Sequence, residues 1–116
     1  MTPELAESLK NYPLYAQDGR KKDALCVALF SIGRARWYIL EGQPEGNDFI
    51  LYGVTAGLQE VEYGYISANE LSSVSVDASA YGLGTLRVEQ DKTFVPCQLA
   101  DIEDEEIQTF LTRLYD

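Results

Sequence analysis

Ala35-Arg36-Trp37-Tyr38-Ile39-Leu40-Glu41 alternates with a period of two, placing Ala35, Trp37 and Ile39 on one side of an extended chain and Arg36, Tyr38 and Leu40 on the other. A helix would instead bring apolar residues three and four apart onto one stripe, so this segment is a strand. Upstream, Ala24 to Phe30 is a near-continuous apolar run of strand length, and Ser31-Ile32-Gly33-Arg34 joins the two as a hairpin. Downstream, the turn formers Gly42-Gln43-Pro44-Glu45-Gly46-Asn47 lead into a third strand from Asp48 to Ala56, rich in Phe49, Ile50, Leu51, Tyr52 and Val54. Gly57 to Glu60 predicts the next turn. Val61 to Ile66 predicts a fourth strand, with Val61, Tyr63 and Tyr65 opposed to Glu62, Gly64 and Ile66. Connections this short make successive strands antiparallel neighbours.

At Ser67 the period changes. Ser67-Ala68-Asn69-Glu70 fits a capping box, in which the serine accepts from the backbone N–H three residues on and the glutamate reaches back, so a short helix starts there. Ser72 to Gly84 is small and polar and predicts a loop with a brief strand at Val74 to Val76. A hairpin of Thr85 to Gln90 and Thr93 to Pro96, turning at Asp91-Lys92, is expected to follow. At the N-terminus, Thr2 caps a helix to about Lys10 with Pro3 in its first turn and Leu5, Ala6 and Leu9 on one stripe, ended by Asn11-Tyr12-Pro13. At the C-terminus, Ile107, Phe110, Leu111 and Leu114 recur at helical spacing behind Asp101, read as the cap. The acids Asp101, Glu103, Asp104, Glu105 and Glu106 suit the positive end of that helix, and Arg113 suits the other. The expected architecture is a single α+β domain over residues 1–116. It is mainly an antiparallel sheet of about five strands, with the N- and C-terminal helices packed on one face. Trp37 and Ile39 are expected to be buried against the C-terminal stripe.

Hydrophobic residues make up 46% of the chain and charged residues 24%, the balance of a globular domain. The chain has no apolar stretch of membrane-spanning length, and it opens on Met-Thr-Pro-Glu-Leu-Ala-Glu, without a basic start and an apolar run behind it. A cytoplasmic location is therefore expected. Cys26 lies inside an apolar run and Cys97 directly follows Pro96, with no metal-like spacing, so both read as reduced packing residues.

Nineteen acidic against nine basic residues leave a net charge of −10, which argues against binding nucleic acid through its phosphates. The asymmetry is local as well. Between Arg36 and Arg87 there is no Lys or Arg, whereas Glu41, Glu45, Asp48, Glu60, Glu62, Glu70 and Asp77 fall there. Such a one-sign field serves solubility or meets a partner of complementary charge. The eight tyrosines include Tyr38, Tyr52, Tyr63 and Tyr65 on adjacent strands, where they either fill sheet faces or form a recognition surface.

Histidine is absent, which removes the commonest general base near neutral pH, the usual Ser and Cys triads and the commonest zinc ligand. Gly82-Leu83-Gly84 lacks the third glycine and the Lys-Ser/Thr of a phosphate loop and reads as turn glycines. What remains is carboxylate chemistry. Glu41 and Asp48 flank the second hairpin connection, and Glu60 and Glu62 share a strand face if that strand begins early. Together they make a candidate Mg²⁺ or Mn²⁺ set, although no cation stands beside them to hold a polyanionic substrate.

The run Arg36-Trp37-Tyr38-Ile39-Leu40-Glu41-Gly42-Gln43-Pro44-Glu45, then Asp48-Phe49-Ile50-Leu51-Tyr52-Gly53, Gly57, Glu60 and Gly64-Tyr65-Ile66-Ser67 with Glu70-Leu71, resembles a bacterial family. It is the domain-of-unknown-function family numbered twenty-nine fifty-eight. The resemblance runs from about Leu14 to Leu99 and implies a passenger of conjugative and other mobile elements. Some relatives carry the label of single-stranded DNA endonuclease, and this chain departs from that chemistry in having neither a histidine nor a lysine beside its carboxylates. The resemblance thus adds a second expectation, an acidic protein that acts by binding host or element proteins.

The expected function is therefore a non-catalytic, acidic protein-binding module, with Glu41, Asp48, Tyr52, Glu60, Glu62, Tyr63 and Tyr65 as its binding residues and a protein of basic surface as its partner. No catalytic residue, metal or cofactor is expected, nor contact with nucleic acid or membrane. The alternative is a Mg- or Mn-dependent single-stranded DNA nuclease using Glu41, Asp48, Glu60 and Glu62.

Overall fold

The computed structural model describes residues Met1–Asp116. Three α-helices, α1 (Pro3–Ser8), α2 (Ala68–Ser73) and α3 (Glu105–Tyr115), accompany strands β1 (Leu25–Cys26), β2 (Ala28–Ile32), β3 (Ala35–Glu45), β4 (Asp48–Ala56), β5 (Glu62–Ser67), β6 (Ser75–Asp77), β7 (Thr85–Arg87), β8 (Glu89–Gln90) and β9 (Cys97–Gln98). The main sheet has five strands in the order β5-β4-β3-β2-β8, every pair antiparallel. The α+β class and the five-stranded antiparallel sheet are those expected from the alternation. No helix is long and apolar enough to cross a membrane.

Strand β3 runs four residues beyond Glu41, because its pairing with β4 continues to Glu45↔Asp48 and leaves only Gly46-Asn47 for the turn. Gly46 takes the left-handed conformation that the turn requires, at φ +59°. Pro44 is tolerated within the strand because β2 pairs with β3 only as far as Ile39, so the missing N–H lies on a stretch with one open side.

Two cores sit on the two sides of the sheet. Trp37, Ile39, Leu51 and Ala28 are buried with Leu5 and Leu9 of the N-terminal segment and with Ala68 and Leu71 of α2. Tyr38, Leu40, Val54 and Ala56 are buried on the other side with Ile107 and Leu111 of α3, Leu99 and Ile102. The expected placement of both terminal helices on one face is thereby corrected. Trp37 and Ile39 are buried, but against α1 and α2, and the C-terminal stripe covers Tyr38 and Leu40 instead. The reason lies in β3 itself. Both of its faces are apolar, so each demands a cover, and two short amphipathic helices at opposite ends of the chain supply one each. Leu114, counted in the stripe, is exposed.

Local signals held where they were short-range. Thr2 Oγ1 accepts from Leu5 N at 3.2 Å, and Ser67 Oγ accepts from Glu70 N at 3.1 Å, although the Glu70 side chain makes no return bond, so only the serine half of the expected capping box forms. The cap of α3 is Asp104, not Asp101. Asp104 Oδ1 accepts from Glu106 N at 3.1 Å and Ile107 N at 3.4 Å, while Asp101 closes a 3₁₀ turn at Leu99–Asp101. The hairpin expected over Thr85 to Pro96 does not form. β7 pairs back on β6, β8 adds to the edge of β2, and Thr93 N donates to Asp91 Oδ1 in a local turn. The first arm, Thr85–Gln90, is thus divided between β6 and β2, while the second, Thr93–Pro96, joins no strand and instead packs Phe94 against the core under α3. Cys26 and Cys97 face each other across β1 and β9 with both thiols free, and burial pushes the Cys26 thiol up to about 12.

Asp104 also ties α3 to the sheet. It accepts from Arg36 Nε at 2.8 Å and Tyr38 Oη at 2.7 Å, and Arg36 Nη2 reaches Glu106 at 3.0 Å. Burial works to raise the Asp104 carboxyl, but the hydrogen bonds from Tyr38 and Arg36 outweigh it and hold the group below its ordinary value. A depressed folded value means stability that is fully present above the ordinary carboxylate range and is lost as pH falls through the folded value. Asp104→Asn keeps the cap and removes the charge. It is expected to cost about 1.5 to 3 kcal/mol at neutral pH and to flatten the acid limb of the stability profile. Urea unfolding across the acid range measures both.

Candidate functional site

The register of β3 and β4 slips between Ile39↔Gly53 and Glu41↔Tyr52, so that Leu40 is an extra residue, a β-bulge. The consequence for Glu41 is large. Strict alternation would put Glu41 on the side of Trp37 and Ile39; the bulge turns it to the side of its new partner Tyr52, which packs with Tyr38 and Val54. Gly42 confirms the inversion, since a side chain there would run into Leu51, Phe49 and Leu9 of the opposite core. Glu41, one of the acids of the one-sign field between Arg36 and Arg87, is therefore turned into the fold rather than out to solvent. It is 3% exposed.

A buried carboxylate needs partners, and the segment before β1 provides them. Glu41 Oε1 accepts from Tyr15 N at 2.9 Å and Oε2 from Gln17 N at 2.7 Å. Gln17, itself buried, donates from Nε2 to Leu25 O and to Leu40 O, each at 2.8 Å, and its Oε1 accepts from Leu25 N at 2.6 Å. The carbonyl of the bulged Leu40 is thus satisfied by Gln17. Gln43 Oε1 accepts from Leu14 N at 3.1 Å, so side chains of β3 hold the whole loop. That clamp supports Tyr15 at φ +74°, a conformation uncommon for a residue with a Cβ.

Tyrosines meet on this face. Tyr52 stacks on Tyr63, with ring centroids 5.9 Å apart, and tilts against Tyr65 at 5.0 Å. The Tyr63 and Tyr115 hydroxyls are 2.8 Å apart, and Tyr65 Oη donates to Tyr15 Oη at 3.2 Å. Burial, then the hydrogen bond with Tyr115, pushes the Tyr63 phenol well above its ordinary value. Burial raises Tyr52 too, followed by the charge of Glu41, with Tyr115 and Asp18 adding to it. These rings stay neutral at physiological pH. Beside them, a cleft of about 380 Å³ runs between the loop and the end of α3, with Glu41, Leu40, Tyr52 and Tyr63 in its wall and Asp18 and Lys21 at its rim.

Of the binding residues read from the sequence, the structure brings Glu41, Tyr52, Tyr63 and Tyr65 together. The other three lie elsewhere. Asp48 is four residue pairs along the hairpin from Glu41, where it accepts from Ser67 Oγ, from Phe49 N at 2.7 Å and from Asn69 N at 3.0 Å, tying β4 to the start of α2. Those bonds, that from Ser67 foremost, hold its carboxyl below the ordinary value. Glu62 is exposed at the start of β5, opposite Thr55, on the reverse side from Tyr63. Glu60 is exposed in the preceding turn and lines a different cleft with Glu105, Glu106, Phe110 and Arg113. The four carboxylates of the candidate metal set therefore do not converge, and no group of three Asp, Glu or Cys side chains is placed to hold a metal ion.

Tyr15, Gln17, Asp18 and Tyr115 were missed as site residues by sequence reasoning. They stand in a polar loop and at the chain end, and only the clamp on Glu41 and the fold of α3 bring them to the sheet. A family model described as "Protein of unknown function (DUF2958)" matches residues 1–101. No curated protein and no solved structure matches the chain.

Proposed function

We propose that this chain, which belongs to the DUF2958 family, is a non-catalytic, acidic protein-binding module that holds a basic partner on its tyrosine face, in the cytoplasm of bacteria whose mobile elements carry it. The observation that supports this reading is the meeting of Tyr15, Tyr52, Tyr63 and Tyr65 with Glu41 on one face, in a chain that has no Lys or Arg between Arg36 and Arg87. Tyrosine supplies a rigid apolar anchor with a hydroxyl at its tip, and Tyr15 and Tyr65 are exposed enough to meet a partner, at 64% and 57%. Asp48, Glu60 and Glu62 add to the field without touching that face. Their part is to speed encounter rather than to hold the complex.

The test separates those two roles. With a basic protein captured on the immobilised chain, Tyr15→Ala and Tyr65→Ala are expected to raise the dissociation rate about tenfold each. Changing Glu60 and Glu62 to glutamine is expected to slow association and to weaken its dependence on salt. Association rates that ignore both salt and the glutamine changes would leave the acidity as a solubility device. Cleavage of single-stranded DNA in Mg²⁺ or Mn²⁺, lost in Glu41→Gln, would put the nuclease reading in its place.

A further inference from the structure

Glu41 is a buried carboxylate that forms no ion pair within the chain. The ion pairs of the molecule join Lys10 to Glu7, Lys22 to Asp116, and Arg36 to Asp104 and Glu106, and none reaches Glu41. Its hydrogen bonds come from two backbone N–H groups, which take about two of the roughly four lone-pair sites of a carboxylate. Removing a charge from water without a counter-charge is costly, and a cation of complementary shape offsets that cost. The surroundings suit one. The stacked rings of Tyr52 and Tyr63 form part of the wall of the same cleft, Leu40 lines it with apolar surface, and the exposed carboxylate of Asp18 stands at the rim. A planar guanidinium meets a carboxylate edge-on with paired N–H groups, and its weakly hydrated flat surface packs against aromatic side walls at little cost.

We infer that the cleft between the Tyr15–Lys21 loop and the end of α3 receives one arginine side chain of the partner, its guanidinium against Tyr52 and Tyr63 and directed at Glu41, with Asp18 closing the rim. This rests on the tyrosine face being the protein-binding surface and adds to it the identity of the anchoring residue. Lys21 tunes the site. It is the one cation at the rim, it is exposed, and its charge opposes the entry of another.

The probe is N-acetyl-arginine methylamide, titrated into the full chain and followed by backbone amide NMR shifts, beside its neutral isostere N-acetyl-citrulline methylamide and the lysine analogue. The arginine compound is expected to shift the amides of Tyr15, Gln17, Glu41 and Tyr52 saturably. The lysine compound should do so more weakly, and the citrulline compound should leave them in place. Glu41→Gln is expected to weaken arginine binding about tenfold or more. Because Glu41 also holds the loop, Asp18→Asn and Lys21→Ala serve as second variants at exposed positions, the first weakening and the second tightening binding a few-fold. Citrulline moving the same amides at the same concentrations would overturn the inference, as would an arginine titration that leaves them unmoved. If a basic protein were still held on the tyrosine face after either result, the cleft alone would be refuted; loss of that capture as well would refute the surface too.

Discussion

Gly53→Ala is expected to cost about 3 kcal/mol or more and to leave the protein largely unfolded at moderate urea. A Cβ at Gly53 would lie 2.0 Å from the carbonyl oxygen of Tyr38 and 3.1 Å from Cα of Ile39. Both are backbone atoms of the neighbouring strand, held by their own ladder bonds, so nothing flexible can move aside. The contact arises next to the bulge, where β3 passes its extra residue, and relieving the clash means parting β3 from β4 at the place that sets the register of Glu41. Gly64→Ala is the matched control. It lies across from Gly53 on β5, a Cβ there meets nothing within 4 Å, and the substitution is expected to be neutral within about 0.5 kcal/mol. Urea midpoints of the two variants side by side measure the difference, and equal midpoints would mean that the close approach of β3 to β4 is not as described.

Leu111→Ala is expected to cost about 2 to 5 kcal/mol, and Leu9→Ala a similar amount. Each side chain is 1% exposed, Leu111 in the core under α3 and Leu9 in the core under α1. The more searching measurement is their independence. Because the sheet lies between the two cores, substitutions on opposite sides share no packing partner and their effects should add. The mild pair Ile107→Val and Ile39→Val, about 0.5 to 1.5 kcal/mol each, keeps the double variant folded for that comparison. Additivity within about 0.5 kcal/mol is expected. A larger coupling would favour the arrangement with both terminal helices on one face.

The two cores show where reading the chain stops. Trp37 and Ile39 were legible as one face of β3 and Tyr38 and Leu40 as the other, because side-chain direction along a strand is a local property of period two. The choice of helix for each face was not legible. Leu5 and Leu9 make a stripe as apolar as Ile107 and Leu111, and their assignment depends on the path of the chain between them and the sheet. The caps at Thr2 and Ser67 were legible for the same local reason, since a cap is made within three residues, whereas the choice of Asp104 over Asp101 was settled by Arg36 and Tyr38 reaching Asp104 from β3.

The sequence by itself determined the α+β class, the antiparallel order of β2 to β5, the acidity and the absence of histidine chemistry, all of which follow from composition and from spacings of a few residues. Only the tertiary structure decided the site. A bulge is a property of two strands in register. One unpaired residue at Leu40 reverses the side of every residue after it, and so carries Glu41 from the Trp37 face to the tyrosine face. Nothing within β3 marks that residue as extra. Tyr15 and Tyr115, at far ends of the chain, become neighbours of Tyr65 and Tyr63 only once the loop is clamped on Glu41 and α3 is laid on the sheet.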